Sequence, residues 1–380
     1  MQLKRYKIKD SDEYLQAGMA NARAAFEVAP KESRHRSFVL SNLGMALSHQ
    51  YERTGDARIL DEAITLATEA VSLTPGPEPG HGSGSRRDTE DPGEGTSSRA
   101  QQIPAHDKRI GRLANLGSLL YMRYKGQNKE ADLTEATWLV RKAIDLAGPK
   151  HLDFKLIRGL LSTLLYSKFL RTSEATFLTD AITVMSEVIG ITPSTHPERA
   201  AQLGNLSQML FKKYEVTREE RFLDESLFQM NESITATLTI RPDLSAIMNN
   251  PESSNMRPSP ARSSDFATRL AIFAEIVLFR FRGARLPPDV DRAIEMLRKS
   301  ARITPDGHPH LLRRLERLSG LLVERYQSFR NLRDWEEVVT LSRWRERLNN
   351  ARRPSMTVPQ GIAFDNNEQA GSSRDQRNLF

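Results

Sequence analysis

One amphipathic segment is written three times in this chain, as LDEAITLATEAVSLTP at 60–75, LTDAITVMSEVIGITP at 178–193 and VDRAIEMLRKSARITP at 290–305. Such a helix buries its apolar face only against neighbours, so repeated copies imply units stacked on one another around a continuous core. The aromatic residue nine positions before each copy supplies a ruler: Tyr51, Tyr124, Phe169, Tyr214, Phe281 and Tyr326, spaced by 73, 45, 45, 67 and 45 residues. The unit is therefore 45 residues long, and two of the spacings carry 28 and 22 extra residues.

Both additions coincide with shifts in composition. Residues 76–105 are rich in Gly, Ser, Pro and charge, and 241–264 contain four prolines. With so little apolar surface to bury, both are expected to be disordered insertions, and 349–380 a disordered tail. Residues 1–348 are then one solenoid: a half unit at 10–30, with Ala25 and Pro30 in register with Ala70 and Pro75, followed by six helix pairs.

Within the unit a small residue recurs at Gly44, Gly117, Ser162, Ser207, Ala274 and Ser319. An apolar residue opens the second helix at Leu60, Leu133, Leu178, Leu223, Val290 and Trp335, and three positions on stand Ala63, Ala136, Ala181, Ser226, Ala293 and Val338. Small residues let two helices approach, and larger ones at spacings of three and four fill the groove between them. Thr74-Pro75, Thr192-Pro193 and Thr304-Pro305 end the second helix, because proline cannot continue it. RTGD at 53–56 supplies a glycine turn inside the first pair. In the last unit Arg345 and Glu346 replace small or apolar residues, as suits a terminal unit with one uncovered face.

Composition narrows the function classes. The 380 residues contain no cysteine, which removes disulfides, thiolate metal sites and cysteine nucleophiles. No apolar run approaches the roughly 20 residues of a membrane span, and the start MQLKRYKIKDSDEYL has no apolar stretch of the signal-peptide kind. The default location is cytoplasmic, with the nucleus left open. A net charge of +7 comes from 55 basic and 48 acidic residues, a mixed surface rather than a nucleic-acid footprint. No phosphate-binding loop, nucleophile elbow or metal spacing is present, so no enzyme, cofactor or small-molecule substrate is expected.

A helix pair carrying Ala63, Ala67 and Ala70 before Pro75, with Leu43-Gly44 in its first helix, resembles the tetratricopeptide repeat. The unit is 11 residues longer than the usual 34, about three helical turns, which keeps the helix faces in phase. With NLG, YERTG, LDEAI and LTP in register, the resemblance extends to the long-unit arrays of filamentous fungi, which often precede a CHAT domain or sit in sensor proteins. It implies an all-α, right-handed solenoid of antiparallel helix pairs that works as a scaffold or adaptor for a protein or peptide. The alternative it implies is the sensor region of a larger signalling or effector protein. An active CHAT protease needs a His and Cys pair, so this chain cannot contain one.

The resemblance also places the first helices on the concave face. There Asn42, Asn115 and Asn205 fall in one column, and an amide offers both a donor and an acceptor to the backbone of an extended peptide. Helical spacing adds Met45, Ser48 and His49, then Ser118, Tyr121 and Met122, then Gln208, Phe211 and Lys212; Leu160 and Ile272 interrupt the asparagine column. The bland alternative is that the asparagines bond to neighbouring helices. His106, His151, His196 and His308 form another column, but copies one helix packing distance apart cannot share an ion, so they read as turn residues at the entry to each first helix. The late basic runs 297–302, 311–318 and 342–348 are interspersed with glutamates and read mainly as solvated helix faces.

Overall fold

The computed structural model describes residues 12–30, 33, 35–74, 105–249, 260–284, 287–308 and 310–352. These form helices and turns, with no strand among them. Helix α1 (Asp12–Val28) stands alone, and six pairs follow: α2 (Arg36–Thr54) with α3 (Ala57–Ser72), α4 (Ala105–Gln127) with α5 (Glu130–Ala147), α6 (Phe154–Thr172) with α7 (Ala175–Ile191), α8 (Arg199–Thr217) with α9 (Glu220–Ile240), α11 (Pro260–Ala284) with α12 (Pro287–Ile303), and α13 (Leu311–Phe329) with α14 (Leu332–Arg352). A short α10 (Pro242–Asn249) lies between the fourth and fifth pairs. Consecutive helices pack on each other, with α9 meeting α11 directly past the short α10, and successive first helices also touch, from α2 to α4, α6, α8 and α11. That is an all-α solenoid.

The small column is where each pair closes. A Cβ on Gly44 or Gly117 would stand 3.3 Å from the carbonyl oxygen of Ala63 or Ala136. Ser162 and Ser207 fill the same place differently, donating their hydroxyls at 2.7 Å to the carbonyls of Ala181 and Ser226. Either way the first helix presses on the backbone of the second. The turn between them is equally uniform: Gly55, Asn128, Ser173, Arg218 and Arg330 are left-handed, with φ between 54° and 68°. Each donates its N–H to the carbonyl of the aromatic ruler residue four positions earlier, at 2.7–2.8 Å. Only the first of these five is glycine, so the others carry a conformational strain that glycine would relieve.

Pairs are joined to each other by a clasp at the end of the second helix. Thr74, Thr192, Thr237 and Thr304 turn their hydroxyls back to the carbonyls of Ala70, Val188, Ser233 and Ser300 at 2.6–2.8 Å. Three of these hydroxyls accept from an arginine in the next first helix: Arg112 on Thr74 at 2.6 Å, Arg269 on Thr237, Arg314 on Thr304. One turn earlier in the first helix, Arg109 reaches the carbonyls of Val71 and Thr74, and Arg199 those of Ile189 and Thr192. These contacts add a cationic donor to the last carbonyls of the second helix, at the negative end of its dipole. Where the threonine is replaced by Ala147, the facing position is the buried Ile157. The polar pair and the apolar pair are two solutions for one seam.

A third column pair locks the two helices of a unit. Arg123 holds Asp132 in a two-bonded fork at 2.8 Å and also reaches Asp61 of the preceding pair at 3.1 Å. Arg280 holds Asp289, and Arg325 holds Asp334 while reaching Asp291. In the two units between, the same positions are Lys168 over the ring of Phe177 (5.6 Å) and Lys213 over that of Phe222 (4.8 Å). A cation on the first helix meets either a carboxylate or an aromatic face.

Two expectations need adjustment. Residues 242–249 and 260–264 are helical where a disordered insertion was expected at 241–264, and Leu244 is fully buried in the core. Proline is accommodated there because it stands at the first position of each helix, where no intrahelical N–H is needed. Likewise Ala105 begins α4, and Asn349–Arg352 extend α14. The expected disorder of 76–104, 250–259 and 353–380 falls outside the described residues. Among the described residues no helix is long and apolar enough to cross a membrane.

Two expectations for stability follow. Ser173→Gly should raise the urea midpoint, by the equivalent of about 0.5–1 kcal/mol, by relieving the left-handed strain. Thr74→Val should lower it, by about 1–3 kcal/mol, because the buried Arg112 loses its side-chain acceptor. Adding Arg112→Ile should recover most of that loss by reproducing the Ala147–Ile157 seam; two additive losses would show that the two residues do not act as a clasp.

Candidate functional site

The first helices α2, α4, α6 and α8 together line a groove of about 460 Å³. Its course is diagonal. Met45, Ser48 and His49 come from the second half of α2, Asn115, Ser118 and Met122 from the middle of α4, Leu160 and Thr163 from α6, and Gln202 and Asn205 from the start of α8. A diagonal lining follows from stacking pairs with a fixed rotation per unit, which winds the inner face into a continuous surface.

The sequence-predicted residues divide into groups. Met45, His49, Asn115 and Asn205 meet in this groove, and Lys212 lines a second cavity further along α8. Asn42, Tyr121, Gln208 and Phe211 are half-buried and lie outside the lining of either. The two aromatic residues engage neighbouring helices instead. Phe211 meets Phe279 edge-on at 5.5 Å, and the Tyr121 hydroxyl lies 3.0 Å from that of Ser167 on the next first helix. Burial, before any other influence, pushes the Tyr121 hydroxyl above its ordinary pKa, so it remains a neutral hydrogen-bonding group.

The asparagine amides are the chemically available part. Asn42, Asn115 and Asn205 are all half-buried, and none makes a side-chain hydrogen bond among the described residues. The neighbouring-helix bond that would have explained them is absent there. Gln202 adds a buried Oε1 with no partner, at the Asn205 end of the same groove. Sequence reading missed Gln202, although a signal was present: it occupies the clasp position held by Arg112, Arg269 and Arg314 in other units, but has no threonine bond of theirs. His49 is engaged with Glu52 at 3.1 Å.

The histidine column is accounted for by turn geometry. Nδ1 of His151, His196 and His308 accepts the backbone N–H two residues on, from Asp153, Glu198 and His310, at 3.1–3.3 Å. Ser33 accepts from the His35 N–H in the same way at the first entry. The side chain of His106 lies outside the described residues. These are turn-forming bonds at the entry to each first helix.

Residues 39–81 match the family model described as tetratricopeptide repeat. This segment is a tetratricopeptide repeat. The match covers one unit; its small-residue contact recurs in the next three pairs and its left-handed turn in four of the other pairs. No curated protein sequence matches the chain. Among solved structures, an array of nearly identical TPR-like repeats from Podosopora anserina, in a protein assigned as a kinesin light chain, is 15% identical, with a TM-score of 0.42 over 64% of this chain and 98% of that one. BtubC (BKLC) from P. vanneervenii is 12% identical, with a TM-score of 0.35 over 96% of this chain and 99% of that one. The S. pombe nuclear import adaptor Nro1 is 12% identical, with a TM-score of 0.40 over 89% and 94%. TM-scores this low carry no argument about function or about the shape of this array.

The turn bonds generate a pH expectation. Burial first, then the charges of Arg314 and His310, lower the His308 pKa from its ordinary 6.5. Because the folded value lies below the unfolded one, this residue's contribution to stability is fully present above about pH 6.5 and is lost as the pH falls through the folded value. The melting temperature should therefore fall between pH 7 and pH 5. His308→Asn, whose side-chain oxygen can accept the same bond without titrating, should reduce that fall; an unchanged pH profile would remove His308 from the account.

Proposed function

We propose that this chain is a non-enzymatic scaffold or adaptor that holds an extended peptide segment of a protein partner along the concave groove of α2, α4, α6 and α8. The observation that carries the reading is the set of amides without protein partners: Asn115, Asn205 and the Gln202 oxygen in one groove, with Asn42 in the same column on α2. The Gln202 oxygen, buried without a partner, is costly as it stands, the asparagine amides beside it are open to exchange water for a ligand, and an extended backbone, with one donor and one acceptor per residue, is a natural complement. Met45, Met122 and Leu160 provide adaptable apolar floor between the amides, suited to side chains of varied shape. Cytoplasm is the compartment in which such a partner would be met.

The test is a random-peptide library panned on the immobilised protein, followed by anisotropy measurements on the enriched peptides. Asn115→Ala combined with Asn205→Ala should weaken binding by about 1–3 kcal/mol in total, at roughly 0.5–1.5 kcal/mol for each lost hydrogen bond, with the circular dichroism spectrum unchanged. Peptides N-methylated along their backbone should bind poorly to the unaltered protein. Full affinity of a folded double variant, or tolerance of N-methylation, would place the peptide elsewhere.

A further inference from the structure

Among the described residues α14 packs on α13, with Arg298 of α12 reaching its Glu337 at 2.7 Å, and its opposite face is left exposed. In the other pairs that side of the second helix is closed. Val339 is 38% exposed, whereas Ile64, Leu227 and Ile294 at the same place in their units are buried. Trp335, 50% exposed, stands where Leu60, Leu133 and Val290 are buried.

Two columns of the repeat carry polar contacts from one pair to its successor. In the first, Asp61 accepts from Arg123 of the next first helix at 3.1 Å, and Asp291 from Arg325. Glu336 of α14 occupies that column. In the second, Asn231 accepts from Arg292 of the next second helix at 3.3 Å, and Arg298 holds Glu337. Arg343 of α14 occupies that column. Both Glu336 and Arg343 are exposed, and neither has a side-chain hydrogen bond or ion pair among the described residues. The face is not built to receive another first helix by the usual clasp. Asn349, exposed, takes the place of Thr74 and Thr304, and Arg345, bonded to Glu316 at 2.7 Å, takes that of Ala70 and Ala143.

Glu336 and Arg343 are about 10 Å apart along the helix, at roughly 1.5 Å per residue, and share one face with Leu332 and Val339. The pattern is self-complementary. When a second α14 lies antiparallel on the first with the two-fold axis beside Val339, each Glu336 faces Arg343 of the other copy. Val339 then meets its own counterpart at the centre, and Leu332 lies against the aliphatic stem of Arg347. We infer that this face binds a second copy of the chain, forming an isologous dimer through α14. A second copy is favoured because the same sequence, read in the opposite direction, satisfies both charges twice and covers the apolar positions between them. α14 contributes nothing to the groove of α2, α4, α6 and α8, so the inference stands apart from the peptide reading.

Sedimentation velocity on the full chain over a concentration series tests this. A single helix face is smaller than a standard interface, so the chain should dimerise in the micromolar range. Glu336→Arg and Arg343→Glu each bring like charges together at both ends of the contact, and each should weaken dimerisation at least about tenfold with helicity unchanged. The double variant Glu336→Arg, Arg343→Glu restores opposite charges and should dimerise as the unaltered chain does. An equimolar mixture of the two single variants should form a heterodimer, because the arginines of one then face the glutamates of the other. A chain that stays monomeric at hundreds of micromolar, or single variants that dimerise as well as the unaltered chain, would overturn the proposal. So would a double variant no better than the singles, or folded single variants that fail to pair with each other. Dimerisation that appears only after residues 353–380 are removed would also overturn it, by giving the face to that segment.

Discussion

The seam between successive helix pairs is the constraint on which everything else depends. A helix pair alone has a buried face on only one side, and the last carbonyls of its second helix have no partner. Here the next first helix supplies arginines, Arg109 and Arg199 to those carbonyls, and Arg112 and Arg314 to the hydroxyls of Thr74 and Thr304. Where it forms, the bond ties the end of one pair to the first helix of the next. Stacking of like pairs then brings successive first helices together along one surface. Ala147 facing Ile157 shows that the seam tolerates an apolar solution provided both sides change together.

Much of this was legible in the sequence, for a physical reason. The 45-residue ruler, the small column and the proline stops report contacts between neighbouring backbones, and such contacts restrict residue type severely. Gly117 and Ser162 look unrelated as letters, yet both bring the first helix against the carbonyl of the second. The paired columns were harder to see because two chemistries share one place: Arg123 with Asp132 in one unit, Lys168 with Phe177 in the next. A column scanned alone looks variable, whereas the two columns scanned together exchange as pairs. The clasp arginines escaped notice for the same reason, since their partner threonines lie in the preceding unit.

The short helix α10 marks where composition misled. Four prolines within 241–264 suggested loop, but Pro242 and Pro260 each occupy a first helical position, and Leu244 points the intervening segment into the core. The groove was legible in part. Asn115 and Asn205 of the asparagine column line one groove and Asn42 does not, while the aromatic residues assigned to it at the same helical spacing, Tyr121 and Phe211, engage the adjacent first helices. Spacing along one helix gives direction from its axis. It does not tell whether a neighbouring helix has already covered that direction, and the close approach of successive first helices covers the outer part of this face.

The central claim is that the asparagine amides are available to a peptide because the fold leaves them without partners. Selective ¹⁵N labelling of asparagine side chains tests it directly, by following their NH₂ resonances during titration with a library-selected peptide. The account predicts that the Asn115 and Asn205 resonances, and then that of Asn42, move on binding, while Asn231, whose side chain on α9 accepts from Arg292 at 3.3 Å, stays still. Saturable binding that moves Asn231 and leaves Asn115 and Asn205 in place would contradict it.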